Sequence, residues 1–222
     1  MEMIRDKIVR SGYESCIPEI EKLAYSDDVI TREELAILLV EYVNLHSERI
    51  LIRLLNDQSI SVRIEAADSL SVFKTHNAYV ALKKCSEETR NPTLRGYALS
   101  GLGYVADGGD IVDALHYLES VLKNEKNTFV KLQSNFALCM LGKRDYLTSI
   151  FTMFSRCGYR NKCVIINILM ELLEENRINP EDVRGFIKES RKYINCIAVE
   201  HSFGELELIA FDMKNSKNDR MK

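Results

Sequence analysis

Residues 98–110, ALSGLGYVADGGD, contain the spacing G-x-G-x-x-A at Gly101, Gly103 and Ala106. In dinucleotide-binding proteins this spacing forms the turn that holds a pyrophosphate, and it requires a strand directly before the glycines and a helix that begins at them. Here the helical pattern begins at Pro92, and its apolar positions continue through the glycines at Leu94, Ala98, Leu102 and Val105. We therefore predict that the glycines lie inside a helix and that the segment binds no nucleotide.

The histidines and cysteines show no arrangement that predicts metal binding or catalysis. The histidines at 46, 76, 116 and 201 have no other histidine or cysteine three or four residues away. Cys157 and Cys163 are six residues apart, and no C-x-x-C pair occurs. No serine, cysteine or lysine lies in a known nucleophile motif. We therefore expect a non-enzymatic protein with no catalytic residue, metal ligand, cofactor or small-molecule substrate.

The composition is that of a folded, water-soluble chain. It has 222 residues, 46% of them hydrophobic, and a formal net charge of −3, so nucleic acid is not the expected partner because its binding depends on neutralising phosphates. Residues 1–50 contain eleven acidic and six basic residues, which fits either a basic partner or a solvated helical face. The charged start MEMIRDKIVR and the lack of a long apolar run predict a cytoplasmic protein without a membrane span.

Helix signals recur along the chain. Pro18, Pro92 and Pro180 each fit the first turn of a helix, and Asn91 and Asn179 fit the N-cap before it. The segment TREE at 31–34 predicts a capping box of Thr31 and Glu34. Helices are expected near 17–24, 31–46, 145–157 and 160–176, with partner helices between them and strand-like alternation scarce before residue 190. The sequence therefore predicts an all-α fold.

Three helices share one pattern of side chains. Counted from Val62, Leu94 and Val130, the residues at offsets 0, 4, 8 and 11 form one stripe of mainly apolar side chains. The residue after each start is basic, as Arg63, Arg95 and Lys131. Leu94 follows Val62 by 32 residues and Val130 follows Leu94 by 36, which is the period of a repeat made of two helices.

These repeats resemble a known family. The string DQSISVRIEAADSL at 57–70 looks like a HEAT repeat of the short bacterial type, residues 91–115 match it, and residues 127–147 match it more loosely. The resemblance implies a right-handed α-solenoid of stacked antiparallel helix pairs that acts as a scaffold gripping another protein. Some members bind nucleic acid, and a few, such as the HEAT-like alkylpurine DNA glycosylases and the HEAT-like bilin lyases, are enzymes. The fold alone therefore does not decide the function.

Two sets of residues are candidates for partner binding. The first is the side of the repeated helices opposite the stripe, which includes Asp68, Ser100 and Phe136 with Tyr97 and Tyr104 beside them. It fits a protein contact, where tyrosine is favoured, or packing against the next helix. Its full set of positions is Ile64, Asp68, Ser71, Thr75, Gly96, Ser100, Gly103, Asp107, Leu132, Phe136, Cys139 and Lys143.

The second set is the basic column Arg63, Arg95 and Lys131. The column fits phosphate binding, or it fits the family's structural role for this arginine, which pairs with acids or carbonyls of the adjacent repeat. Asp57 lies where such a partner is expected.

The expected organisation is one solenoid domain over residues 1–213. It has clear repeats at about 50–150, a degenerate opening pair within 1–48, a C-terminal cap at 177–213 and a frayed polar tail at 214–222. Ser202 and Gly204 lie between two apolar runs, so the cap could be another helix pair, an irregular segment or a hairpin. Gly101 falls in a column with Ser69 and Ala137, where small side chains are expected to let a neighbouring helix approach.

The expected function is a protein-binding module. Its narrower form is an immunity protein that neutralises a bacterial toxin by covering a surface of it, and an acidic segment would suit a basic toxin. The alternatives are a nucleic-acid-binding HEAT-like protein that uses the basic column and a HEAT-like lyase or enzyme-modifying protein.

Overall fold

The computed structural model describes residues 1–106 and 108–219, with side chains described up to residue 211. Within this part of the chain there are thirteen α-helices, four short 3₁₀ turns and no strand. The helices are α1 (Glu2–Ser11), α2 (Ile17–Ala24), α3 (Val29–Leu39), α4 (Leu45–Leu54), α5 (Ile60–Ser69), α6 (His76–Glu88), α7 (Pro92–Val105), α8 (Ile111–Asn124), α9 (Thr128–Met140), α10 (Tyr146–Phe154), α11 (Tyr159–Glu174), α12 (Pro180–Ser190) and α13 (Ile197–Asp219). The prediction of an all-α fold is confirmed.

The chain divides into two compact units, Met1–Ala114 and Leu115–Lys222. In the first unit α3 packs against α5 and α5 against α7, while α4 contacts α2 and α6. Each even-numbered helix also packs against the odd-numbered helix that follows it, as α6 does against α7. Short connections reverse the chain at each step, so these helices form two rows with the apolar stripe between them.

The second unit has its own core. The helix α11 packs against α9, α10 and α13, and α12 packs against α13. Its centre is a cluster of aromatic rings in which Phe186 stacks on Phe151 at 4.8 Å between centroids and meets Phe154 edge-on at 5.1 Å. Phe203 on α13 completes the cluster at 6.1 Å from Phe186. This cluster fixes α10, α12 and α13 together.

The helix starts at Asn91 and Asn179 follow the sequence signals. The side chain of Asn91 accepts hydrogen bonds from the amides of Thr93 and Leu94, with Pro92 in the first turn, and Asn179 forms a capping box with Asp182. These two caps confirm the prediction made from Asn-Pro.

The predicted capping box of Thr31 and Glu34 is wrong. Asp28 caps α3 instead, because its carboxylate accepts from the amides of Ile30 and Thr31 and from the Thr31 hydroxyl at 2.7 Å. These hydrogen bonds, the Thr31 hydroxyl first, hold the pKa of Asp28 below its ordinary value. The helix therefore begins at Val29 and ends at Leu39, earlier at both ends than the range 31–46 expected from the apolar pattern.

The C-terminal region is helical, so the alternative of a hairpin at 192–213 is wrong. Residues 191–193 form a 3₁₀ turn and α13 runs from Ile197 through Ser202 and Gly204 without interruption. Val199, Phe203, Leu206 and Ala210 are buried at spacings of three and four, which is the pattern of a helix with one apolar face. The backbone of α13 continues over residues 214–219 of the expected tail, and residues 220–222 lie outside the described part of the chain.

Candidate functional site

Gly101 and Gly103 lie inside α7, as predicted. The helix runs from Pro92 to Val105 and contains both Gly101 and Gly103. A Cβ atom added at Gly101 would lie 2.9 Å from Leu82 Cδ1 on α6 and 3.7 Å from the carbonyl oxygen of Ala67 on α5. Gly101 therefore lets α7 approach both neighbours, and the context of a pyrophosphate turn is absent.

The side of α5 and α7 turned away from the apolar stripe carries four of the predicted partner-binding residues. Asp68 and Ser100 are each the ninth residue of their helix, and because α5 packs against α7 they lie at the same level of the row. Asp68 is exposed, whereas Tyr97, Ser100 and Tyr104 are half-buried. The Ser100 hydroxyl donates to the Tyr97 carbonyl within its own helix at 2.9 Å, and Asp107, expected on the same face, lies outside the described residues.

Three carboxylates meet on α3 and α5 without a cation among the described residues. Desolvation raises the pKa of Glu65, and the negative charges of Asp68 and Glu33 raise it further. Desolvation also raises the pKa of Asp68, although Asp68 reaches solvent. Glu65 and Asp68 are therefore partly desolvated, although Asp68 contacts solvent. We call Glu33, Glu65 and Asp68 the acidic face.

Several other acids of the first unit have a basic partner. Glu41 pairs with Arg5 at 2.5 Å, Glu19 pairs with Lys7, and Asp57 pairs with Arg32 at 2.7 Å. Like charges gathered in a partly desolvated place raise the free energy of the folded chain. A cation brought by a partner would remove that cost.

Phe136 lies in the second unit and away from solvent. It is 2% exposed, and its neighbours Leu132 and Cys139 on the same side of α9 are buried with it. Because α10 and α11 both pack against α9, that side of the helix contributes to the core. The sequence left open whether this face contacts a partner protein or packs against the next helix. On α9 it packs against neighbouring helices.

The basic column has a structural role in the first unit. Arg63 Nε donates to the Leu55 carbonyl at 2.9 Å, and Arg95 Nε donates to the Ser86 carbonyl at 3.1 Å. Each arginine thus binds a carbonyl at the end of the preceding helix, where carbonyls lack an intrahelical partner. This geometry supports the structural interpretation of Arg63 and Arg95. The side chain of Lys131 is half-buried, and its ammonium group has no hydrogen bond or ion pair among the described residues.

Two further residues share the position of the basic column. Arg32, Arg63, Arg95, Lys131 and Lys162 are each the fourth residue of an odd-numbered helix, from α3 to α11. Arg32 Nη1 donates to the Ser26 carbonyl at 2.6 Å in the same manner, while Lys162 donates to the Tyr193 carbonyl at 2.6 Å. The intervals of 31 residues from Arg32 to Arg63 and from Lys131 to Lys162 were the signal that could have found them.

A hydrogen-bonded series of side chains, made of a carboxylate, an imidazole and two hydroxyls, is similar to a catalytic triad. His46 Nε2 lies 2.9 Å from Glu21 Oε1, and its Nδ1 lies 3.2 Å from the hydroxyl of Tyr13, which lies 2.7 Å from Ser47 Oγ. Burial raises the pKa of Tyr13. Ser47 is 0% exposed, so no substrate reaches its hydroxyl, and the network ties α2 and the turn after α1 to the start of α4.

Other chemistry is limited in the described residues. No group of three or more histidine, cysteine, aspartate or glutamate side chains is placed to hold a metal ion within that part of the chain. None of the described helices combines the length and apolar content needed to cross a membrane. The six cysteines are all free thiols, with Cys16, Cys85 and Cys139 buried.

Comparison with known proteins adds no family assignment. No protein-family model and no curated protein matches the chain.

Proposed function

We propose that this protein is a non-enzymatic protein-binding module whose partner contacts the exposed side of α3, α5 and α7. The observation that carries the proposal is the acidic face, in which Glu65 and Asp68 are partly desolvated next to Glu33 and have no cation among the described residues. Charges arranged this way destabilise the free protein and select a partner of opposite sign. The partner is therefore a protein with a basic surface.

The neighbouring tyrosines suit the same role. Tyr97 and Tyr104 lie half-buried on α7, beside the helix that carries Glu65 and Asp68. Tyrosine contributes a large, stiff contact area to protein interfaces. A basic partner side chain at the acidic face, with a flanking contact on the tyrosines, is the mode of binding that we propose.

The architecture that we propose is a HEAT-like right-handed α-solenoid. The repeated stripe, the fourth-residue cation of each odd-numbered helix from α3 to α11 and the two packed rows in the first unit support it. The narrower proposal is an immunity protein, located in the cytoplasm, that neutralises a basic toxin by covering it. A toxin that acts on nucleic acid would itself carry the positive surface that the acidic face requires.

The test is affinity capture with purified chain followed by titration of the captured protein. Wild-type chain is expected to retain one stoichiometric protein whose affinity falls with salt, and Asp68→Lys is expected to weaken it by about a hundredfold because repulsion replaces attraction. Glu87→Lys, an equal charge change at an exposed position of α6, is the matched control and should leave the affinity unchanged. Capture of only nucleic acid, or equal loss in both variants, would refute the proposal.

A further inference from the structure

A groove between α12 and α13 in the second unit is bordered by apolar side chains and basic groups. It has a volume of about 360 Å³ and is lined by Ile187, Ala210 and Phe211 with Lys188 and Arg191 at its edge. Phe211 is 61% exposed, so its ring adds apolar surface at the groove. The groove therefore has the composition of a binding surface for an apolar, acidic segment.

Lys188 is the basic group of the groove that is free to bind such a segment. Arg184 is held by Glu181 at 2.9 Å and by the Ala210 carbonyl at 3.0 Å, and Arg191 pairs with Glu207. Lys188 is exposed and makes no ion pair with any residue in the described part of the chain. A carboxylate docked above the groove would meet its ammonium group.

The chain itself carries a complementary surface on α3. Ile30 and Ile37 are 62% and 51% exposed, and Glu33 lies between them at spacings of three and four, which places all three on one side of the helix. Glu33 has no ion pair among the residues that the structure describes. We call Ile30, Glu33 and Ile37 the α3 stripe.

The charges of the two units agree with this complementarity. Residues 1–114 contain 19 acidic and 13 basic residues, whereas residues 115–222 contain 14 acidic and 17 basic residues. The first unit of one molecule is thus attracted to the second unit of another at low ionic strength. Charge and exposed apolar area favour the same pairing.

We propose that the protein self-associates head to tail, with the α3 stripe of one molecule in the α12–α13 groove of a second copy. Glu33 then pairs with Lys188, and Ile37 packs against Phe211. A dimer joined by one such contact has a free groove on one molecule and a free stripe on the other, so further copies can add head to tail into rings or filaments. This inference goes beyond the proposed function, since it requires no other protein.

Sedimentation velocity of the purified full chain over a concentration series tests it. The average mass of the wild type is expected to rise with concentration and to fall with added salt. Glu33→Lys and Lys188→Glu are each expected to weaken association about tenfold, and the double variant is expected to recover it because the pair is reversed. The control Glu87→Lys should behave as wild type.

A mixing experiment tests the head-to-tail geometry. Ile37→Ser removes the apolar anchor of the stripe and Phe211→Ser that of the groove, and both positions are exposed, so folding is expected to be unaffected. Each variant alone is expected to be monomeric, while their mixture forms a 1:1 dimer through the one intact stripe and the one intact groove. A wild type that is monomeric at every concentration, or a variant effect limited to Phe211→Ser, would overturn the proposal.

Discussion

Arg32 on α3 donates two hydrogen bonds to the carboxylate of Asp57, from Nε at 2.7 Å and from Nη2 at 2.9 Å. Its third nitrogen donates to the Ser26 carbonyl at 2.6 Å. Both side chains are nearly buried, at 12% and 11% exposed. One guanidinium thus joins the connection between α2 and α3 to the connection between α4 and α5, and it fixes the register of two neighbouring helix pairs.

Removing this arginine should destabilise the protein. In Arg32→Ala the carboxylate of Asp57 keeps only the Ser59 amide at 2.8 Å, and we expect the free energy of unfolding to fall by about 3 kcal/mol because a nearly buried charge loses its partner. Arg49 is exposed on α4, so Arg49→Ala is the control for loss of one positive charge. Urea unfolding followed by circular dichroism measures both, and equal small effects would contradict the prediction.

The same pair predicts how stability depends on acid. The Arg32 hydrogen bonds hold the pKa of Asp57 below its ordinary value, so the carboxylate stabilises the folded chain above the unfolded pKa of about 4 and loses that contribution as the pH falls through the folded pKa. The stability difference between wild type and Asp57→Asn is therefore expected to be largest at neutral pH and to shrink in acid. Urea titrations at a series of pH values measure it, and a difference independent of pH would show that Asp57 acts without its charge.

For Asp68 in the acidic face we predict the opposite effect of pH on folding stability. Desolvation raises the pKa of Asp68 in the folded chain, so its ionised form destabilises the fold; this penalty is absent below the unfolded pKa of about 4 and is complete above the folded pKa. Asp68→Asn is therefore expected to melt at a higher temperature than wild type at neutral pH and at an equal temperature in acid. Scanning calorimetry decides this, and a lower melting temperature at neutral pH would mean that the carboxylate has a partner.

The helix pattern was predictable where local chemistry determines it. The caps at Asn91 and Asn179 follow from an asparagine before a proline, and the stripe through Leu94 and Leu102 follows from helical period alone. The start of α3 could not be chosen this way, because Asp28 and Thr31 are both good N-cap residues. In the structure Arg32 also binds the Ser26 carbonyl and Asp57, and these contacts lie outside the local capping pattern.

The candidate site was predictable only in part, for a related reason. Asp68 and Phe136 share one repeat position, yet Asp68 is exposed and Phe136 is buried. Which elements cover a given helix face depends on the packing of the following helices, and the repeat pattern does not contain that information. The inclusion of Glu65 in the acidic face was also not predictable from the repeat pattern. It depends on the packing of α3 against α5, which brings Glu33 near Glu65.

The cysteines should differ in reactivity. Burial raises the pKa of the Cys139 thiol to about 12, so it is protonated at neutral pH, and Cys16 and Cys85 are buried as well. Iodoacetamide is expected to label Cys163 and Cys196 first in the folded chain, since alkylation needs an accessible thiolate and burial raises the pKa of Cys157. Peptide mass spectrometry gives the order, with labelling in urea as the control in which all six react. Early modification of Cys139 would show that α9 opens in the native state.

The two glycines at Gly101 and Gly185 offer a matched test of close packing. Both lie within helices, where alanine is favoured over glycine by about 1 kcal/mol. A Cβ at Gly185 meets nothing within 4 Å, whereas one at Gly101 meets Leu82 Cδ1 at 2.9 Å. Gly185→Ala is therefore expected to raise the free energy of unfolding by about 0.5–1 kcal/mol.

At Gly101 an alanine gains the same helix propensity, but its Cβ atom must displace the end of the Leu82 side chain on α6. Gly101→Ala is expected to change stability little, because the end of the Leu82 side chain can shift by a few tenths of an ångström. Gly101→Leu has no such room between α5 and α6, and we expect it to lower the free energy of unfolding by about 2–3 kcal/mol through overpacking. Thermal and urea unfolding of the three variants measure the series. An unchanged melting temperature for Gly101→Leu would mean that α7 does not approach α6 closely, and the role assigned to the small residue would have to be withdrawn.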